Sequence, residues 1–113
     1  MNILFCGDDG VCQGIYLSTL SILKNINKSV NIYILTASVE NHKAIPQEFK
    51  DKLQHAVLQK NKENCVYLLD ITSIFDSYLP IANIKTRFTP LCMLRLFADS
   101  IPEIPDKILY LDT

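Results

Sequence analysis

Short apolar runs alternate along the chain with longer amphipathic stretches, and that alternation predicts the element order. Residues 2–6 carry Ile3, Leu4 and Phe5 in succession and read as a first strand, and Gly7-Asp8-Asp9-Gly10 behind them reads as a tight loop. Over residues 11–24, Cys12, Tyr16, Thr19, Leu20 and Leu23 recur at i, i+4, i+7, i+8 and i+11, the spacing of a helix with one apolar face. A polar turn over 25–29 leads to a second strand at 30–35, rich in the β-favouring residues Val30, Ile32, Tyr33 and Ile34. Residues 38–44 are a polar loop, and Pro46 stands where a first helical turn tolerates proline. The helix behind it places Phe49, Leu53, Ala56 and Val57 on one face, with Lys50, Asp51, Lys52, Gln54 and His55 elsewhere. Residues 60–64 interrupt that helix, and 65–69 form a third strand ending at Asp70.

Residues 71–85 have no period and contain Pro80 and Asn83, so they read as loop and short turns lying over the sheet. Thr89-Pro90 reads as an N-cap followed by the residue best suited to the first helical position, opening a helix through about Ala98. Pro102 and Pro105 close that region. Residues 107–111 then form the last strand, whose apolar run Ile108 to Leu111 predicts burial on both faces and delivers Asp112 to the C-terminal edge of the sheet. Strands alternating with helices predict an α/β fold with a doubly wound, mainly parallel, Rossmann-like sheet. The expected strand order is 3-2-1-4, because the crossover direction reverses after the third strand, and Asp8 and Asp112 then face one crevice at the ligand-binding edge.

With 113 residues, the chain is one small domain or a piece of a larger one; a complete domain of this size buries roughly 65% of its unfolded surface. A net charge of −1 removes the electrostatic case for nucleic acid or acidic membranes. The first apolar run is too short for a signal-peptide core, and no run approaches the ~18 residues of a membrane span, so a soluble cytoplasmic chain with no integral membrane segment is expected. Cys6, Cys12, Cys65 and Cys92 form no C-x-x-C pair and read as buried free thiols.

Three places carry candidate chemistry. The Gly7-Asp8-Asp9-Gly10 loop lies between a strand and a helix, where nucleotides commonly meet α/β sheets, but it is not G-x-G-x-x-G. Its paired carboxylates repel bare phosphate, which leaves base or ribose recognition, or a metal, as its function; the bland alternative is a helix N-cap. Arg95 is the single charge within the run 88–98 before Asp99, and a guanidinium among Leu91, Cys92, Leu94 and Leu96 needs an anionic partner. That partner is either Asp99, one turn on, or a ligand's diphosphate or sugar hydroxyl. Asp112 is the third place, a strand-end carboxylate whose bland alternative is a turn residue. His42 and His55 form no cluster and are expected in solvent, and no Ser, His and Asp spacing suggests a nucleophilic triad.

Lys107-Ile108-Leu109-Tyr110-Leu111-Asp112-Thr113 resembles the approach to the D-x-D signature of glycosyltransferase family 8, the family of glycogenin and the bacterial galactosyl- and glucosyltransferases. Asp8-Asp9 after the first strand and Thr89-Pro90-(x)4-Arg95-Leu96 ahead of the last add to the likeness. The chain stops one residue short of the second Asp of that signature. The resemblance implies that 1–113 is the N-terminal nucleotide-sugar-binding part of a GT-A type domain. It implies retaining transfer of glucose or galactose from a UDP-sugar to a hydroxyl of a glycan or lipid-linked saccharide. It places Gly7, Asp8, Asp9, Gly10, Val11, Arg95 and Asp112 at the donor and makes Asp112 a ligand to Mn²⁺, with Mg²⁺ as the alternative ion. The family commonly carries Asp-Asp-Asn-Tyr after the first strand. Gly10 and Val11 replace the last two here, and the absent aromatic removes base stacking of order 1 kcal/mol. The fragment alone is expected to be inactive and prone to self-association along its last strand.

A second class fits less well. In a phosphorelay receiver domain, Asp8 and Asp9 would be the acidic pair, Asp70 the phosphoacceptor, Thr86 or Thr89 the switch residue and Lys107 the amine; yet Asp70 comes late in the chain and Lys107 precedes the final strand. A non-catalytic nucleotide-binding fragment is a third reading.

Overall fold

The computed structural model describes residues 1–39, 41–74 and 90–113, without the side chains of 90–93. Ile3, Leu4 and Phe5 are all buried, and that unbroken burial marks β1 (Asn2–Cys6) as a strand covered on both faces. β2 (Asn31–Thr36) lies parallel on one side of it, and β3 (Cys65–Asp70) lies parallel beyond β2. β4 (Leu109–Tyr110) lies parallel on the other side, pairing Ile3 with Leu109 and Leu4 with Tyr110. The order is β3-β2-β1-β4, as the alternation of elements predicts. Two successive crossovers lead outward from β1 to β3, and the chain then returns past both inner strands to β4, so the switch in direction falls between β1 and β4.

The period of two along each strand separates two cores. Ile3, Phe5, Ile32, Ile34 and Val66 face the layer made by α1 (Cys12–Asn25) and α2 (Gln47–Lys60), which contribute Ile15, Leu23, Leu53 and Val57. Leu4, Tyr33 and Leu35 face the opposite layer, built from a 3₁₀ helix at Pro90–Ser100 and the segment behind it, with Leu94, Ile101 and Ile104 buried against the sheet. Among the described residues, no helix is long and apolar enough to cross a membrane. Two buried polar side chains stitch layers together. Asn64 accepts from Val30 N at 2.8 Å and donates to Val57 O at 2.8 Å, tying the end of α2 to the start of β2. Thr36 Oγ1 accepts from Ile45 N at 2.8 Å.

Several local expectations are corrected. The buried face of α1 centres on Ile15, Thr19 and Leu23, whereas Cys12 and Tyr16 pack at its margin, because α1 must face α2 as well as the sheet. Pro46 is extended and caps α2 from outside, its missing N–H costing nothing there. The helix near Arg95 is 3₁₀ in form, and a three-residue period brings Leu94 and Phe97 onto one face against the sheet. The last strand is two residues long and stands at the edge of the sheet, and Leu109 is 51% exposed, so β4 is not covered on both faces. Past Ile71 a short helical turn follows at 72–74, and the rest of the loop expected over 71–85 lies outside the described residues, as do Thr86 and Thr89.

Candidate functional site

The site begins where β1 ends. Gly7 N donates to Leu35 O at 3.1 Å, which holds the chain against β2. A Cβ on Gly7 would stand 2.5 Å from Val11 Cγ2, so only glycine lets Val11 close onto the loop and the core beneath it. Val11 is therefore a packing residue. Asp8 caps the single 3₁₀ turn Asp9–Val11, its Oδ1 accepting from Gly10 N at 3.0 Å. The capping role that the sequence offers as the bland alternative is thus realised. Asp9 and Gly10 are exposed, and Asp9 N donates to Lys43 O at 2.9 Å.

His42 overturns its expected place in solvent. Its Nδ1 lies 2.7 Å from Asp8 Oδ2, and its side chain is one-third exposed. Sequence spacing hid this pairing because the two residues are 34 positions apart and meet only when β1 and β2 lie side by side. The loop carrying His42 is closed by an antiparallel bridge to Val39, with N–H···O distances of 3.0 and 2.9 Å. Ser38 adds a bond from Ala44 N to its Oγ at 3.0 Å. His55 is exposed as expected and contacts Gln59.

At the end of β4, Leu111 N donates to Leu4 O at 3.0 Å, and Asp112 follows in solvent at the same sheet edge as the loop after β1. The Arg95 side chain is exposed, and among the described residues it forms no ion pair with Asp99. Its guanidinium lies over the Tyr110 ring, 5.6 Å from the ring centre. The expectation of a charge enclosed by apolar neighbours fails because the 3₁₀ winding turns Leu94 inward and leaves Arg95 and Leu96 outward. Cys6, at the end of β1, packs on the same core as Tyr110. Burial pushes its thiol up to about 12, with Arg95 lowering it and Asp112 raising it by smaller amounts. Burial also raises the Tyr110 phenol, Cys6 and Asp112 add to that, and Arg95 opposes it. Cys6, Arg95, Tyr110 and Asp112 therefore form one electrostatic neighbourhood beside the switch point. Burial likewise raises Cys12, with Asp9 and Asp8 contributing.

The Cys6 shift has a stability consequence with a definite sign. Its folded value of about 12 lies above the ordinary thiol value of 9.0, so the native state keeps a proton that the unfolded chain loses. The associated stabilisation is complete below pH 9 and is lost as pH rises towards 12. Denaturant titrations should show stability falling across that window, with a shallower fall in Cys6→Ala.

Thr113 packs on α1 at Gly14, where a Cβ would meet Thr113 Cβ at 3.2 Å. Gly14→Ala is expected to gain up to about 0.5–1 kcal/mol from helix propensity while pushing the segment carrying Asp112 outward. Thermal unfolding should rise or hold steady as the amide resonances of Asp112 and Thr113 shift; a fall in stability with no such shift would contradict this.

The receiver arrangement does not assemble. Receiver-like order 2-1-3-4-5 puts the third strand beside the first, whereas here β2 lies between them and Asp70 caps its own turn by accepting from Thr72 N at 3.0 Å. Lys107 is exposed ahead of β4. As for a metal, the carboxylate of Asp112 suits a hard cation, but no group of three His, Cys, Asp or Glu side chains converges among the described residues. One carboxylate does not by itself fit an ion that takes about six oxygen ligands. Comparison of the chain with family models, with curated proteins and with solved structures yields no match.

Proposed function

We propose that the chain is the donor-binding part of a retaining hexosyltransferase that takes glucose or galactose from a UDP-sugar. The observation that carries this reading is the polarity of the switch-point edge: an acidic loop after β1, and an exposed guanidinium on Tyr110 with Asp112 after β4. A nucleotide sugar has the matching polarity. Its base and ribose donate hydrogen bonds and suit the Asp8-Asp9 end, from which phosphates are repelled. Its diphosphate suits Arg95, whose forked donors match phosphate oxygens. The resemblance of the Lys107-to-Thr113 stretch to glycosyltransferase family 8 supplies the reaction type, and it rests on those motif residues.

The roles follow from position. Asp8 and Asp9 hold the nucleoside, Gly7 and Val11 shape the loop, and Gly10 N–H fixes the Asp8 carboxylate. Arg95 holds the diphosphate and offsets charge on the departing UDP. Asp112 would supply one oxygen ligand to Mn²⁺ or Mg²⁺, an ion that the described side chains do not hold alone. The acceptor is the hydroxyl of a glycan or lipid-linked saccharide. Cytoplasmic action accords with the free thiols Cys6, Cys12 and Cys65, which a reducing compartment preserves, and the exposed edge at Leu109 favours self-association.

Equilibrium binding tests the reading. UDP-glucose or UDP-galactose should bind and be displaced by UDP, with adenosine and guanosine diphosphates competing less well. Equal competition by all nucleoside diphosphates would leave a nucleotide-binding module of no base preference, and no binding would remove the proposal.

A further inference from the structure

We infer that His42 is a positioning residue for Asp8, and that the couple makes the loop after β1 a reader of the hydrogen-donating end of a nucleoside diphosphate. This rests on the donor-site reading above. A carboxylate on an exposed loop ordinarily samples several rotamers, and a ligand must then order it. Here both oxygens are already constrained from different elements, Oδ1 by Gly10 N at 3.0 Å and Oδ2 by His42 Nδ1 at 2.7 Å. His42 is itself held: its N–H and C=O both bridge to Val39, and the next residue accepts from Asp9 N at 2.9 Å. The orientation of the carboxylate is thus set from β2 as well as from β1.

An ionised carboxylate accepts hydrogen bonds and donates none, so His42 Nδ1 is the donor of this pair. Each Asp8 oxygen has a second acceptor direction beyond the one its protein partner uses. Those directions accept N–H or O–H groups and reject phosphate, which points to a base or a ribose. A carboxylate already fixed on two sides offers them without the ordering cost that a free one would impose. His42 therefore acts through Asp8 and has no need to touch the ligand.

The test uses the full chain, with UDP and inorganic diphosphate as probes, in wild type and in His42→Ala, His42→Asn and His42→Gln. Asn places an N–H near the position of Nδ1; Gln places one near Nε2. His42→Ala is expected to weaken UDP about tenfold, the scale of a lost hydrogen bond to a charged group, while leaving diphosphate binding unchanged. His42→Asn should restore most of the UDP affinity and His42→Gln should not. Equal weakening of UDP and diphosphate would reduce His42 to a structural staple, and undiminished UDP binding in His42→Ala would deny it any part; either overturns the inference while leaving the donor site standing. Absence of UDP binding in the wild type would instead remove the donor-site reading, and the inference with it.

Discussion

Phe5→Ala is expected to lower the stability of this fold by about 3–5 kcal/mol, the range for a large aromatic removed from a close-packed core. Phe5 has no exposed surface, and its strand is paired on both sides, by β2 and by β4. Its ring belongs to the core that joins Ile15, Ile34 and Leu53, so a void there touches the sheet and both helices of that layer. Domains of ordinary stability have ~5–15 kcal/mol in total, so the variant loses a large share of it. The denaturant midpoint should fall with the slope unchanged. Leu96→Ala provides the contrast: at 67% exposure the side chain leaves no cavity behind, and a change within about 0.5 kcal/mol is expected. A Phe5→Ala loss no larger than that of Leu96→Ala would mean that the β1 core is not packed as described.

Arg95→Ala should leave the fold almost untouched and weaken UDP-sugar binding by about 10- to 100-fold, as expected for losing a charge-assisted bond to phosphate. The guanidinium is exposed and stacks on Tyr110 at 5.6 Å; such an exposed contact contributes only ~0.5–1 kcal/mol to stability. Arg95→Lys should recover part of the affinity, since a lysine supplies charge without the planar fork. Calorimetry of the three proteins with UDP-glucose measures this directly. Unchanged affinity in Arg95→Ala would confine the residue to its contact with Tyr110.

The sheet was legible because its evidence is local. Ile3-Leu4-Phe5, the β-favouring run through Ile32 and Ile34, and the run after Cys65 each carry their strand signal within a few residues, and the crossover rules then order the strands. What could not be read from the sequence was whatever depends on contact between distant segments. Asp8 and His42 meet only after β1 and β2 pair, so each looked unpartnered along the chain. Arg95 appeared enclosed because a helical wheel of 3.6 residues spreads its leucines around it. A tighter winding gathers Leu94 and Phe97 on the sheet side and frees the guanidinium. β4 is shorter than its apolar run predicts: it pairs with β1 alone, and Leu109, opposite Ile3 on the face that α1 and α2 cover elsewhere, is half exposed.

Ligand and sheet are proposed to meet at the switch point between β1 and β4. A nitrogen-15 amide titration of the chain with UDP-glucose tests it residue by residue. Shifts are expected only in the loop from Gly7 to Val11, at His42 and Lys43, at Arg95, and in the stretch from Tyr110 to Thr113. Asp70 and the turn behind it, two strands away on the far edge, should stay still. Shifts centred on Asp70 and Thr72, or none anywhere, would contradict it.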